Sequence, residues 1–304
     1  MRTLVVGLGT QGNKRLKFIR KELAGTVDPL NKNANYSDIS QAPIELYDSV
    51  FLCVPDSEKI KLIKQCISNG KHVLVEKPLS SDNETDLTEL QASSIESNVF
   101  IYTAYNHRFE PHFMNIKKHI EKKEIGKLYS IRMFYGNGTS QLVKSSNWRD
   151  KGMGVISDLA PHLLDTLAFW IGATKLNNVS LVHHNFETLS PDHAIINFNM
   201  DNVAVELEMS LCMWKNTFTC DIVGEKGSLH MSSLCKWGPS VLTYRERVLP
   251  TGIPKERTFK IEKQDPTWEK EHQYFFSQII TQNLTDLSTD IWISKNLSDF
   301  EALM

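Results

Sequence analysis

The side chains of this chain best suited to moving a proton are one lysine and one aspartate–histidine pair. Lys77 lies in Glu76-Lys77-Pro78, directly after the apolar run Val73-Leu74-Val75. A charge at the end of a buried strand is costly to place, and such strand ends face the crevice where ligands sit in parallel sheets. An ammonium there can donate to an oxygen and stabilise negative charge on it. Asp158 and His162 are four residues apart, so on a helix they share a face, with Asp165 one turn further. Pro161 fits only a helix's first turn, which would place Asp158 at the helix start. In either arrangement an acid and an imidazole converge, as general acid–base chemistry requires.

A third group of residues says what this chemistry could act with. Gly7-Leu8-Gly9-Thr10-Gln11-Gly12 follows a strand-like run and opens a helix. In that context a GxGxxG pattern binds a dinucleotide. Gly7 allows the tight turn, Gly9 lets the backbone approach the pyrophosphate, and Gly12 lets helix and strand pack closely. Free N–H groups of Thr10, Gln11 and Gly12 face the phosphates. Asp28 ends the next strand, where a carboxylate accepts both ribose hydroxyls and repels a 2′-phosphate. NAD is the expected cofactor; Lys32 nearby keeps NADP open. Val54 and Pro55 close the third strand, and Glu76 and Lys77 close the fourth, so all four are expected beside the cofactor.

Positioning these groups takes alternating elements. Strands are expected over residues 3–6, 24–27, 50–54, 72–75 and 99–103. Helices are expected after Gly12, on the spacing of Leu16, Ile19 and Leu23, then over 58–68 and 83–96. Such alternation implies a parallel sheet covered on both faces. A helix over 111–123 ends this part. Beyond Lys127 strands follow one another. Val203, Val205, Leu207, Met209 and Leu211 alternate with smaller or polar residues, and Phe218, Cys220 and Ile222 repeat the pattern. That is the signature of a sheet with one buried face. A helix over 159–170, one after Pro266 and a short one from Ser288 complete the chain. The fold class is α/β: a Rossmann domain over 1–110, then an α+β domain over 111–304 with a large, mostly antiparallel open sheet. The C-terminal helices are expected to pack back on the first domain.

The bulk numbers fit a globular protein. The chain has 304 residues, 41% hydrophobic and 23% charged. Its 34 basic and 36 acidic residues give a net charge of −2, which argues against nucleic acid as a main partner. Lys117-Lys118 and Lys122-Lys123 read as one solvated helix face. The five cysteines show neither zinc-like pairing nor a disulfide framework, and no metal site is expected. No apolar run is long enough to span a bilayer and no signal peptide is seen, so a cytoplasmic location is expected. Substrate contacts are expected from Tyr105, Asn106 and Arg108, after the fifth strand, from Trp148 and Arg149, and from Asp158 and His162.

Taken together, these motifs resemble the glucose-fructose oxidoreductase and inositol dehydrogenase (Gfo/Idh/MocA) family over nearly the whole chain. The matching stretches are the glycine loop, Gly70-Lys71-His72-Val73 leading into Glu76-Lys77-Pro78, and Asp158…His162…Asp165 behind a glycine pair. The resemblance implies hydride exchange between nicotinamide and a secondary hydroxyl or carbonyl of a sugar, polyol or nucleotide sugar. It puts Lys77, His162 and Asp158 in the catalytic positions. It also implies a homodimer or homotetramer built through the open sheet. One departure stands out: the family usually carries a histidine four residues after the proline that ends the third strand, and here that residue is Lys59. Two alternatives keep the fold but change the function. One is a non-catalytic NAD(P)-sensing regulator; the other is a redox-assisted glycosidase or transferase with tightly bound NAD.

Overall fold

The computed structural model describes the chain apart from residues 82, 84, 147, 148 and 263. Its first elements are β1 (Thr3–Val6), α1 (Thr10–Arg15), β2 (Leu23–Val27), β3 (Ser49–Leu52), α2 (Asp56–Ser68), β4 (His72–Glu76), α3 (Asp86–Glu96) and β5 (Ile101–Ala104). There follow α4 (Pro111–Glu121), β6 (Leu128–Gly136), α5 (Ser140–Lys144) and α6 (Val155–Ile171). Seven strands come next: β7 (Leu176–His184), β8 (His193–Met200), β9 (Val203–Ser210), β10 (Thr217–Gly224), β11 (Gly227–Ser232), β12 (Ser240–Glu246) and β13 (Glu256–Ile261). The chain closes with α7 (Thr267–Ile280) and α8 (Ser288–Glu301). Two compact units result, one from Met1–Asn106 with Thr267–Lys295, the other from His107–Pro266 with Asn296–Met304.

The first unit holds a five-stranded parallel sheet in the order β2-β1-β3-β4-β5. Every residue of β1 and β3 is buried, which explains their unbroken apolar runs. One sheet face, carrying Leu4, Val50 and Val73, packs with Ile63 of α2 and Leu90 of α3. On the other face Phe51 and Phe100 meet Phe275 of α7 at ring separations of 5.6 and 6.0 Å.

Two local expectations give way to these contacts. The helix expected to run from Gly12 to Leu23 stops at Arg15. Successive short-range bonds, Lys17 N–H to Lys14 O and Phe18 N–H to Arg15 O, then turn the chain. Thr3 N–H takes the Glu22 carbonyl and Thr3 pairs with Leu23. Sheet pairing therefore claims the residue that apolar spacing assigned to a helix, and only Ile19 of that set is fully buried. The second case is Pro161, which lies in the interior of α6 and not in its first turn. It cannot donate to the carbonyl four residues back, yet α6 continues because Leu159, Leu163, Leu167 and Trp170 are all buried. The final helix is also longer than expected, reaching Glu301.

The second unit holds an eight-stranded sheet in the order β13-β12-β11-β10-β6-β9-β8-β7. Only the β6–β9 pair is parallel. Alternate residues Phe218, Cys220 and Ile222 of β10 are buried while Thr219, Asp221 and Val223 are exposed. The buried face packs on α4 and α6: Phe113 meets Trp170 at 5.1 Å and Phe218 at 5.3 Å. Trp170 also donates its indole N–H to the Phe113 carbonyl at 3.0 Å. Among the described residues, no helix is long and apolar enough to cross a membrane.

His272 of α7 makes the first unit sensitive to pH. Its ring lies 5.0 Å from Phe51 and 5.7 Å from Phe18. Among the described residues neither ring nitrogen has a hydrogen-bond partner. Burial, helped by the nearby Arg15 charge, drives its pKa from 6.5 down to about 3. Between those values the unfolded chain binds the extra proton, so this contribution is full above pH 6.5 and shrinks as pH falls toward 3. The loss amounts to about 2 kcal/mol by pH 5 at about 1.4 kcal/mol per pH unit. Denaturant titrations at pH 7 and pH 5 should show this loss in the wild-type protein and a markedly smaller one in His272→Phe. Equal losses in the two proteins would contradict it.

Candidate functional site

The glycine loop is fixed by close approach of backbone to backbone. Gly7 has φ +89°, and a Cβ there would sit 2.3 Å from the Cys53 carbonyl oxygen. A Cβ on Gly12 would come within 1.9 Å of the Gly7 oxygen. Gly9 is different: it is exposed, and a Cβ there would meet nothing within 4 Å. The first helical bond of α1 runs from Asn13 N–H to Gly9 O, so Thr10 and Gln11, both exposed, present N–H groups with no intrahelical carbonyl. Asp28 ties the loop to the end of β2. One carboxylate oxygen accepts from Leu8 N–H at 2.7 Å, and the other accepts from Leu30 and Asn31 N–H at 2.8 and 2.9 Å. Partial burial alone would raise its pKa, but these three N–H bonds more than offset that and hold it below the ordinary value. Val54 is half-buried and Pro55 exposed, immediately before α2.

At the end of β4 the peptide between Lys77 and Pro78 is cis. Glu76 is turned inward, where Arg15 Nε donates to its Oε1 at 2.8 Å. The same guanidinium donates to Glu271 Oε2 at 2.6 Å and stacks 4.4 Å from the Trp268 ring centre. Lys59 is equally buried, and its Nζ donates to the Glu76 and Pro78 carbonyls, each at 2.6 Å. Lys77 between them is half-buried. Tyr105 and Asn106, after β5, are buried; Asn106 Nδ2 donates to Thr267 Oγ1 at 2.9 Å.

In the second unit α6 carries Asp158, His162 and Asp165. Asp158 lies in its first turn and faces Arg149 at 3.5 Å. His162 stacks on His107, with ring centres 4.2 Å apart and planes 21° apart. Behind His107 stands Lys236, whose ammonium donates to His107 Nε2 at 3.2 Å and to the Tyr135 hydroxyl at 3.0 Å. An ammonium only donates, so Nε2 is the acceptor and the neutral ring carries its proton on Nδ1. Asp165 is fully buried, and Arg108 Nε donates to both its oxygens at 3.0 Å. The fork of Arg108, read from the sequence as a substrate contact, is thus engaged by a helix carboxylate. Trp148, with Asn147, lies outside the described residues.

The sequence reading missed Arg15, Glu271, Tyr135 and Lys236. Arg15 pairs with residues 61 and 256 positions away, and no local spacing encodes that. His107 lies between the expected substrate contacts Asn106 and Arg108, but nothing in the sequence linked it to His162. Lys59 had been noted only as a departure from a family pattern.

Two family models cover most of the chain. One, described as an oxidoreductase family with an NAD-binding Rossmann fold, matches residues 1–105. The other, the GFO/IDH/MocA C-terminal domain, matches residues 113–230. The chain belongs to the Gfo/Idh/MocA family. As in that family, its first unit is an NAD-binding Rossmann domain, and the open space at Gly9 fits a pyrophosphate approaching the backbone. Oxidoreductase P35 of Formosa agariphila is 25% identical over 242 residues, 73% of this chain and 72% of that protein. The scyllo-inositol 2-dehydrogenase (NADP(+)) IolW of Bacillus subtilis is 26% identical over 154 residues, 49% of this chain and only 42% of that protein. In fold, the UDP-N-acetylglucosamine 3-dehydrogenase GnnA of Acidithiobacillus ferrooxidans superposes with a TM-score of 0.82 at 17% identity, over 100% of this chain and 97% of that one.

The glycines of this Gfo/Idh/MocA member separate two effects. Gly9→Ala should leave the melting temperature within about 2 °C of wild type while weakening NAD binding about tenfold, because the added methyl enters space meant for phosphate. Gly12→Ala should lower the melting temperature by about 4 °C or more, because its methyl collides with the Gly7 carbonyl. Thermal melts and calorimetric NAD titration read both. A Gly9→Ala protein that binds NAD normally would contradict the assignment.

Proposed function

We propose that the protein oxidises a secondary hydroxyl of a sugar, polyol or nucleotide sugar, or reduces the corresponding carbonyl, by hydride exchange with a nicotinamide cofactor. When bound, the cofactor supplies the hydride acceptor or donor at its ring. In the oxidation direction His162 takes the hydroxyl proton as the carbon–hydrogen bond breaks. Lys77 donates a hydrogen bond to the same oxygen and stabilises the charge that develops on it. Asp158, 3.5 Å from Arg149, orients a neighbouring hydroxyl. The products are a carbonyl, the reduced cofactor and a proton on His162, so atoms and charge balance.

The observation that carries this reading is Lys77 held at the carboxyl end of β4, in the same sheet whose glycine loop is open at Gly9. The IolW relative, named for an inositol, supports a polyhydroxylated substrate. The GnnA fold neighbour is named for a nucleotide sugar, and a vicinal diol is common to both. The Asp28 carboxylate, kept ionised by its N–H bonds, would repel a 2′-phosphate, which favours NAD over NADP. We also place the boundary between cofactor and substrate domains near residue 110. The sheet face bearing Arg132, Thr219 and Asp221 is proposed as the contact surface of a homodimer or homotetramer.

Hydride transfer to NAD should be followed with a panel of inositols, hexoses and nucleotide sugars. Lys77→Ala and His162→Ala are each expected to lower kcat by about a hundredfold or more, as loss of an oxyanion donor or a general base does. NAD affinity should stay near that of wild type. Near-normal turnover in both variants would show that the chemistry lies elsewhere; cofactor binding without turnover on any substrate would favour a sensor.

A further inference from the structure

We propose that Lys59 is a positioning residue, a buried clamp that sets the conformation and reactivity of Lys77. Its place is unfavourable for a cation on two grounds. It lies in the first turn of α2, where the helix dipole disfavours a cation. It is only 2% exposed, and burial alone penalises its charge. Burial pulls its pKa below the ordinary lysine value, opposed by Asp56 and Glu76. A lysine kept there despite these costs is doing something its surroundings require.

What surrounds it is specific. An ammonium has three donors, and Lys59 meets three acceptors: the Glu76 carbonyl at 2.6 Å, the Pro78 carbonyl at 2.6 Å and Asp56 Oδ1 at 2.7 Å. The two carbonyls belong to the residues immediately before and after Lys77. The clamp therefore grips the backbone on both sides of that residue. Asp56 is mostly solvent-exposed and offsets the charge from outside. A histidine at this position would have at most two N–H donors and could not make all three bonds. A lysine here thus holds the tripeptide more completely than a histidine could.

This inference rests on Lys77 serving the substrate oxygen, and its test is chosen to stand apart from that. Competitive acetylation with acetic anhydride across pH, read by peptide mass spectrometry, reports the reactivity of Lys77 with no substrate present. In Lys59→Met the labelling rate of Lys77 relative to exposed lysines should change about fivefold or more, because the grip on its backbone and a neighbouring positive charge are both lost. In the same variant kcat should fall about tenfold or more while NAD affinity stays within about threefold, since a misplaced group costs turnover more than binding. Lys59→Arg, which keeps the charge and several donors, should recover part of both. If Lys59→Met does not fold, Lys59→Gln, able to serve one carbonyl, should show the same direction of change. Unchanged Lys77 labelling in a folded variant overturns the clamp, whatever happens to kcat. Shifted labelling with no hydride transfer on any substrate sustains the clamp and overturns the proposed reaction.

Discussion

Two buried cations hold one tripeptide, and much of the first unit is arranged around them. Arg15 takes the side chain of Glu76, and Lys59 takes the carbonyls of Glu76 and Pro78. Neither charge can stay buried without partners, because an unpaired ion in a protein interior costs several kcal/mol. That requirement works as a constraint on the fold. It brings α1, β4 and α7 together at Arg15, and α2 against the end of β4 at Lys59. Since α1 also begins at the glycine loop, Arg15 links the cofactor loop and the Lys77 tripeptide through a single guanidinium.

The second unit solves a similar problem with different parts. Its α6 carries a proline in mid-helix and a fully buried carboxylate one turn beyond His162, both costly. Apolar packing against α4 and the sheet offsets the first, and the two-pronged grip of Arg108 offsets the second. With the helix so fixed, His162 is presented on a rigid element, its ring against His107 and a lysine behind that. Sites built on helices in this way are held more closely than sites on loops.

Most of the framework was legible in the sequence because it is written in short-range patterns. Strand–helix alternation announced the parallel sheet, and period-two alternation announced the half-buried antiparallel one. The glycine loop and Glu76-Lys77-Pro78 were legible because strained turns and strand-end charges demand particular residue types. The failures share one cause. Leu16, Ile19 and Leu23 have helical spacing, yet Leu23 is taken by a strand pairing with Thr3. The carboxylate on α6 that Arg108 grips lies 57 residues away, where no local spacing reveals it. Arg15 and Lys59 act through partners brought near only by the fold, and the long-range pairing of a buried cation leaves no mark on local spacing.

The claim at the centre of this account is that the protein moves a hydride from a carbinol carbon to nicotinamide. Inositols, hexoses and nucleotide sugars deuterated at their carbinol positions, incubated with the protein and NAD, test it most directly. Mass spectrometry of the reduced cofactor should find one deuterium carried over from the substrate that reacts. Reduced cofactor without deuterium, or none from any member of the set, would contradict the account.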